Sequence, residues 1–323
     1  MPLESVKETW SARVCEVTLG ATSADGGTRT STVTIGGHTS LPFLAFESPT
    51  TNRPVIAMEV WDMAPTDWAE VVMAPFADVA GDPAAWAKKC VEQYGADLIC
   101  LRLLSAHPDN EDSPPAKGAE AVKAVLGAVG VPLIIWGCGH PNKDNELMPV
   151  CSQAAAGERC LLGSATEDNY RTLVVACQAD GHYIIGESPL DINIEKQVNI
   201  LISDMGFPFE RIVIFPTTGA LGYGLEYAYS IMERTRLAGL TGDRTIAQPM
   251  LAAVGWEAWR AKEAKGTQEE QPQWGPEAQR GPAWEAATAA GFIQSGADIL
   301  VMRHPEAAAV VKRHIDSLMS GQA

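Results

Sequence analysis

Eight short runs rich in Val, Ile and Leu, each leading into a helical stretch, occupy this 323-residue chain from Val55 to its end. They fall at 55–60, 98–103, 133–138, 160–165, 183–188, 212–217, 250–255 and 299–304. Strands apolar on both faces need cover on both faces, a condition met by a parallel sheet wrapped in helices. Amphipathic stretches such as 85–94 supply the helices, and Gly95, Gly157, Gly181 and Gly296 stand where each helix must end and the chain reverse. Eight such units from Val55 to about Ser320 predict a (β/α)8 TIM barrel over residues 54–323. An open doubly wound sheet would more often begin on a Gly-rich turn, and 55–62 has no glycine.

Residues 1–53 differ in kind. The stretches 14–19 and 31–35 alternate in strand fashion around a turn at Gly26-Gly27, which predicts an antiparallel β extension covering the N-terminal end of the barrel.

Barrels of this type carry their ligand sites at the C-terminal ends of the strands. Those ends offer Glu59 and Asp62, Arg102, Trp136 and Cys138, Ser164 and Thr166, Glu187 and Ser188, Thr217 and Thr218, Gly255 and Trp256, and Arg303 and His304. The connections after the first, second, sixth and seventh strands are long, which walls the mouth with extra chain. No lysine stands at a strand end, so a Schiff-base aldolase would lack its nucleophile. The loops after strands 7 and 8 begin Trp256-Glu257 and Pro305-Glu306 rather than with glycines, which disfavours a phosphorylated substrate. Gly219-Ala220-Leu221-Gly222-Tyr223-Gly224 has the wrong spacing and the wrong place for a dinucleotide loop, but lets backbone approach a large ligand. Glu59, Asp62, Glu187 and His304 have the donor types of a divalent-metal site; the commoner outcome is carboxylates paired with Arg102 and Arg303. Trp61, Trp136 and Trp256 form either a flat apolar platform at the mouth or packing beneath its loops.

Charge and sulfur narrow the function classes. Forty acidic against 24 basic residues give a net charge of −16, which repels nucleic-acid backbones and anionic lipid alike. Seven cysteines without a Cys-x-x-Cys pair read as reduced, packed thiols rather than cluster or zinc ligands. The N-terminus lacks the pattern of a signal peptide and no apolar run is long enough for a membrane span, so the expected location is cytoplasmic.

Several uncommon strings then carry a family resemblance. Leu19-Gly20-Ala21-Thr22 with Gly26-Gly27-Thr28-Arg29, Pro54-Val55-Ile56-Ala57-Met58-Glu59-Val60, Ser188-Pro189-Leu190-Asp191-Ile192-Asn193, Leu221-Gly222-Tyr223-Gly224-Leu225-Glu226-Tyr227, Glu257-Ala258-Trp259-Arg260 and Met302-Arg303-His304-Pro305-Glu306-Ala307 resemble the small subunit of the corrinoid/iron-sulfur protein. This is the delta-subunit family of the acetyl-CoA decarbonylase/synthase system, and the resemblance runs from about residue 13 to the end. It implies a barrel subunit, not catalytic alone, in a heterodimer whose larger subunit carries the iron-sulfur cluster and most contacts to a shared cobamide. The pair would move a methyl group from a methyltetrahydrofolate:corrinoid methyltransferase to acetyl-CoA synthase in the Wood-Ljungdahl pathway. Relatives often have an acid before the proline ending the sixth strand, whereas this chain has Phe215-Pro216, so an acid there is not required or its role differs.

On that implication the barrel mouth shields the upper face of the cobamide, with Trp61, Trp136 and Trp256 in apolar contact and Arg102, Thr217, Thr218, Tyr223 and Arg303 bonding the corrin's amide side chains. Two rival readings use the same barrel. A pterin-dependent methyltransferase would clamp its ligand with Glu59, Glu187, Asp191 or Asn193. A metal-dependent lyase or hydrolase would need the four-residue donor set above.

Overall fold

The protein is described by a computed structural model covering residues 7–321. Its sheet residues form two units. The first is an antiparallel pair, β1 (Glu16–Leu19) and β2 (Val33–Gly36), in which Val17 faces Ile35 and Leu19 faces Val33. The second is a closed parallel barrel of β3 (Val55–Trp61), β4 (Leu98–Arg102), β5 (Leu133–Trp136), β6 (Leu161–Ala165), β7 (Tyr183–Glu187), β8 (Ile212–Phe215), β9 (Met250–Ala252) and β10 (Ala297–Met302), with β10 hydrogen-bonded to β3 to shut the ring. Each of the eight predicted runs contains one of these strands, the seventh only over Met250–Ala252, and helices pack outside them.

Two-residue alternation explains the double-sided burial of the strands. Ile56, Met58, Ile99, Leu101, Ile135 and Leu300 point outward into one apolar layer with helix residues such as Trp86, Val122, Leu147 and Phe292. Val55, Ala57, Leu98, Cys100, Ile134, Val213, Leu251 and Ile299 point inward and fill the barrel. Helix starts follow from the sequence: Asp82 and Asp191 each accept two backbone N–H groups as N-caps, and Pro83, Pro115, Pro141 and Pro305 occupy first turns, where a missing N–H costs nothing.

The seventh unit departs from its sequence expectation. β9 stops at Ala252 and Val254–Ala258 coils into a short helix, because Gly255 lies flat on the end of β10: a Cβ there would sit 2.7 Å from the Arg303 nitrogen. The following loop also ends sooner than its polar composition suggests, since the helix Glu277–Ser295 takes in Pro282 in its second turn.

The β1–β2 pair plugs the N-terminal end of the barrel, with Val17, Leu19 and Ile35 continuing the inward layer. Arg29, from the loop between them, anchors it. Its Nε donates to Glu158 at 2.9 Å, and its terminal nitrogens donate to the carbonyls of Val129 at 2.6 Å and Leu126 at 2.7 Å. On the other side His38 and Arg236 converge on buried Asp298, at 2.7 and 3.3 Å. No helix among the described residues is long and apolar enough to cross a membrane.

Removing one partner of a buried ion pair strands the other. Arg29→Met should therefore lower unfolding free energy by about 3–5 kcal/mol, read by urea denaturation. A loss below about 1 kcal/mol would show that the plug is held by its apolar side chains alone.

Candidate functional site

At the C-terminal end the inward positions change from apolar to polar. The last inward residues are Glu59 and Trp61 of β3, Arg102 of β4, Trp136 of β5, Glu187 of β7, Phe215 of β8 and Arg303 just beyond β10. Register places Trp61 beside Arg102 and Arg102 beside Trp136.

Glu59 is at the centre of this layer. Arg303 grips it with two bonds, Nε to Oε2 and a terminal nitrogen to Oε1, both 3.0 Å, and the Trp61 indole donates to Oε1 at 2.6 Å. Burial alone would raise the Glu59 carboxyl, but the Arg303 charge and these hydrogen bonds outweigh it and hold it below the ordinary glutamate range. The Arg303 guanidinium in turn lies 4.6 Å from the Trp68 ring centre and 5.7 Å from that of Trp61.

Arg102 is treated differently by its surroundings. It is 4% exposed, yet none of its side-chain nitrogens has a protein acceptor among the described residues, and its Nε is fully buried. Its guanidinium lies 4.0 Å from the Trp256 ring centre and 5.2 Å from that of Trp136. Trp136 is braced edge-on by Phe215 at 5.1 Å, so this phenylalanine serves to seat the tryptophan. Cation–π contact offsets part of the cost of burying the charge but satisfies no N–H.

Above these residues opens a cavity of about 450 Å³ lined by Trp61, Trp68, Arg102, Trp256, Trp259 and Arg303 among others. Four of the eight residues expected at the site from sequence therefore meet on one cavity wall: Trp61, Arg102, Trp256 and Arg303. Trp136 backs them. Thr217 and Thr218 follow β8, where their hydroxyls serve the fold: Thr217 donates to the Ser188 carbonyl, and Thr218 accepts from the Ala253 amide at 2.9 Å. Thr217 holds φ of 61°, a left-handed conformation rare for a β-branched residue. Tyr223 stands out on its loop, half-exposed, with its hydroxyl on Glu263 at 2.7 Å.

The four candidate metal donors go to separate partners. Glu59 takes Arg303; Asp62 accepts from the Ser105 amide at 2.9 Å and its hydroxyl at 2.6 Å; Glu187 accepts from the Ser164 hydroxyl; His304 accepts the Glu306 amide at 3.2 Å and packs on Trp259. Among the described residues no three His, Cys, Asp or Glu side chains gather as a metal site. All seven cysteines are free thiols. Burial raises the thiols of Cys90, Cys100 and Cys177, away from the reactive thiolate.

Sequence reasoning missed Trp68, Trp259 and Glu285. The first two carried a signal in their loops, since a tryptophan in a polar mouth loop needs an apolar partner. Glu285 carried none: it lies within an ordinary-looking helix, Glu277–Ser295. Fully buried, it accepts from the Arg303 amide at 2.6 Å, the His304 amide at 3.0 Å and the Trp259 indole at 2.8 Å. It thus ties the end of β10 to the segment that carries Trp256 and Trp259.

A profile of the family described as CO dehydrogenase/acetyl-CoA synthase delta subunit matches residues 16–314. The chain is 41% identical over 320 residues to the acetyl-CoA decarbonylase/synthase complex subunit delta of Archaeoglobus fulgidus, covering 98% of this chain and 70% of that one. It is 40% identical over 314 residues to the subunit delta of Methanosarcina mazei, covering 96% and 71%, and 37% identical over 310 residues to that of Methanopyrus kandleri, covering 96% and 76%. Among solved structures it is similar to dihydropteroate synthase of Xanthomonas albilineans with 4-aminobenzoic acid, at TM-score 0.57 and 16% identity over 85% of this chain and 95% of that one. The likeness to the Coxiella burnetii dihydropteroate synthase in complex with pteroic acid has TM-score 0.55 and 12% identity over 88% and 99%. At such identities these two show the shared fold alone.

The Glu285 carboxyl is pushed by burial up to about 7, against an ordinary value of 4.5. Between those values the unfolded chain has released the proton and the folded one has kept it, so stability falls as pH rises from about 4.5 to 7 and levels off above. The contribution of this group is about 3 kcal/mol. Urea midpoints at pH 5 and pH 8 should show that fall in the wild type and a flatter response in Glu285→Gln; equal slopes would remove Glu285 as its source.

Proposed function

The chain belongs to the CO dehydrogenase/acetyl-CoA synthase delta-subunit family, matched over residues 16–314, and from that premise we propose that it is the small subunit of a corrinoid/iron-sulfur protein acting in the cytoplasm. In this reading it pairs with a larger subunit that carries the iron-sulfur cluster and most contacts to a cobamide. The pair conveys a methyl group from a methyltetrahydrofolate:corrinoid methyltransferase to acetyl-CoA synthase, both met transiently, in the Wood-Ljungdahl pathway. The barrel mouth covers the upper face of the cobamide.

One observation carries this assignment of the mouth: a buried arginine, its Nε without an acceptor, beside tryptophans that line a cavity. A buried donor without an acceptor is costly and is made good by a ligand oxygen. A cavity of about 450 Å³ takes groups projecting from one face of a corrin rather than the macrocycle, which fits a lid better than an enclosing pocket. When bound, the cobamide supplies a cobalt nucleophile that accepts a methyl group and later gives it up.

The chain's own part is to shield and to position. Trp61, Trp68 and Trp256 exclude water and oxidant from the covered face. Trp136 holds Arg102 from behind, and Arg303, spent on Glu59, fixes the floor. Thr217 and Tyr223 extend the rim on the β8 side, with Thr218 buried beneath them. The lid must yield when the methyl donor or acceptor arrives, so its contacts are broad and apolar rather than covalent.

Native purification tests this directly. Corrinoid and cluster absorption bands should travel with this chain and a second polypeptide, and leave when the two are separated. Trp256→Ala should loosen corrinoid retention by the assembled pair roughly 30-fold, the scale for losing a central aromatic contact. The isolated chain, given methyltetrahydrofolate and free cobalamin, should transfer no methyl group; steady turnover would replace this reading by a pterin-dependent methyltransferase.

A further inference from the structure

The two mouth arginines bring the same charge into different settings. Arg303 lies against Glu59, with its Nε and a terminal nitrogen each 3.0 Å from a carboxylate oxygen, so its field is opposed at short range. Arg102 is equally buried, but among the described residues no carboxylate lies within ion-pair distance of it. Glu59 and Glu187 act on it only across a distance, and Arg303 acts against them. Glu59 is already gripped by Arg303, and burial raises the Glu187 carboxyl toward its neutral form, which weakens the second counter-charge. What Arg102 does contact is aromatic. Trp256 at 4.0 Å and Trp136 at 5.2 Å from their ring centres hold the guanidinium in place without neutralising it.

A fixed cation in a site closed to water favours the more negative form of any centre beside it, because little solvent is left to screen its field. The nucleophilic state of a corrin's cobalt is Co(I), formed from Co(II) by gain of one electron and no proton. We propose that Arg102 is an electrostatic residue that stabilises Co(I) relative to Co(II) in the covered corrin, so that a low-potential one-electron donor reduces the cobalt more completely. This rests on the mouth-to-corrin reading above and deepens it: the lid sets the ease of reduction as well as excluding water. The sign of the effect follows from the charge of this one side chain, whatever the sum over the cavity. Arg260 and Lys265 line the same cavity, but both are exposed, and water screens them.

The test uses the assembled two-subunit protein loaded with corrinoid and titrated with titanium(III) citrate in the presence of redox mediators. Each cobalt gains the one electron that a titanium loses, and visible absorption follows Co(II) and Co(I). A unit charge within about 12 Å, at an effective dielectric near 20, shifts such an equilibrium about tenfold. At a fixed potential Arg102→Gln should therefore lower the Co(I)/Co(II) ratio about tenfold, a midpoint about 59 mV more negative. Arg102→Lys keeps the charge and should stay within about twofold of the wild type, as should Lys265→Gln, which removes an exposed charge. Arg102→Met removes the charge without leaving a polar group to bury, and carries the same expectation as the glutamine variant if that one does not fold. A ratio unmoved by the charge-removing variants at Arg102, or an equal fall in Arg102→Lys or Lys265→Gln, overturns this role; the lid itself stands if Trp256→Ala still loosens corrinoid retention. If retention is also indifferent to Trp256→Ala, the corrin lies away from the mouth and both readings fall.

Discussion

Glu59 and Arg303 meet inside the barrel, at the level where its interior turns from apolar to polar, and the mouth is arranged around that contact. β3 and β10 are the two strands that close the ring, so the same hydrogen bonds that shut the barrel bring this pair into register. Once Arg303 is committed to Glu59, Trp61 is fixed by its own bond to the carboxylate and Trp68 packs over the guanidinium. Arg102 is left on the neighbouring strand as the donor without an acceptor. Glu285 supports the arrangement from outside, holding the backbone of Arg303 and His304 and the indole of Trp259 with one carboxylate.

The plugged end and the open end show how differently one barrel treats its charges. At the N-terminal end Arg29, Glu158, His38, Arg236 and Asp298 all enter ion pairs, although the Nε of Arg236 is left without an acceptor. At the mouth Arg102 enters none among the described residues, and Thr217 is held in a strained conformation.

Much of this architecture was legible in the sequence, because burial on both strand faces writes uninterrupted apolar runs and helix ends need glycine, proline or a capping side chain. The exception at residues 250–255 is instructive. Its composition is strand-like, but Gly255 is there so that backbone can lie against Arg303, a tertiary contact with no local signature. The site was legible only in part. Strand-end position picked out Trp61, Arg102, Trp256 and Arg303, which do share a cavity. It could not tell which arginine was already occupied, since that depends on β10 closing onto β3, nor that Thr218 spends its hydroxyl on Ala253. Glu285 was invisible because a buried acceptor on a helix looks in sequence like any surface glutamate.

A structure of the assembled pair loaded with corrinoid, showing where the macrocycle lies relative to the barrel, tests the central claim most directly. The account predicts the upper corrin face against Trp61 and Trp256, with a side-chain oxygen within hydrogen-bonding distance of Arg102. A corrin seated at the β1–β2 end, or one whose upper face is covered by the larger subunit alone while Arg102 stays bare, would contradict it.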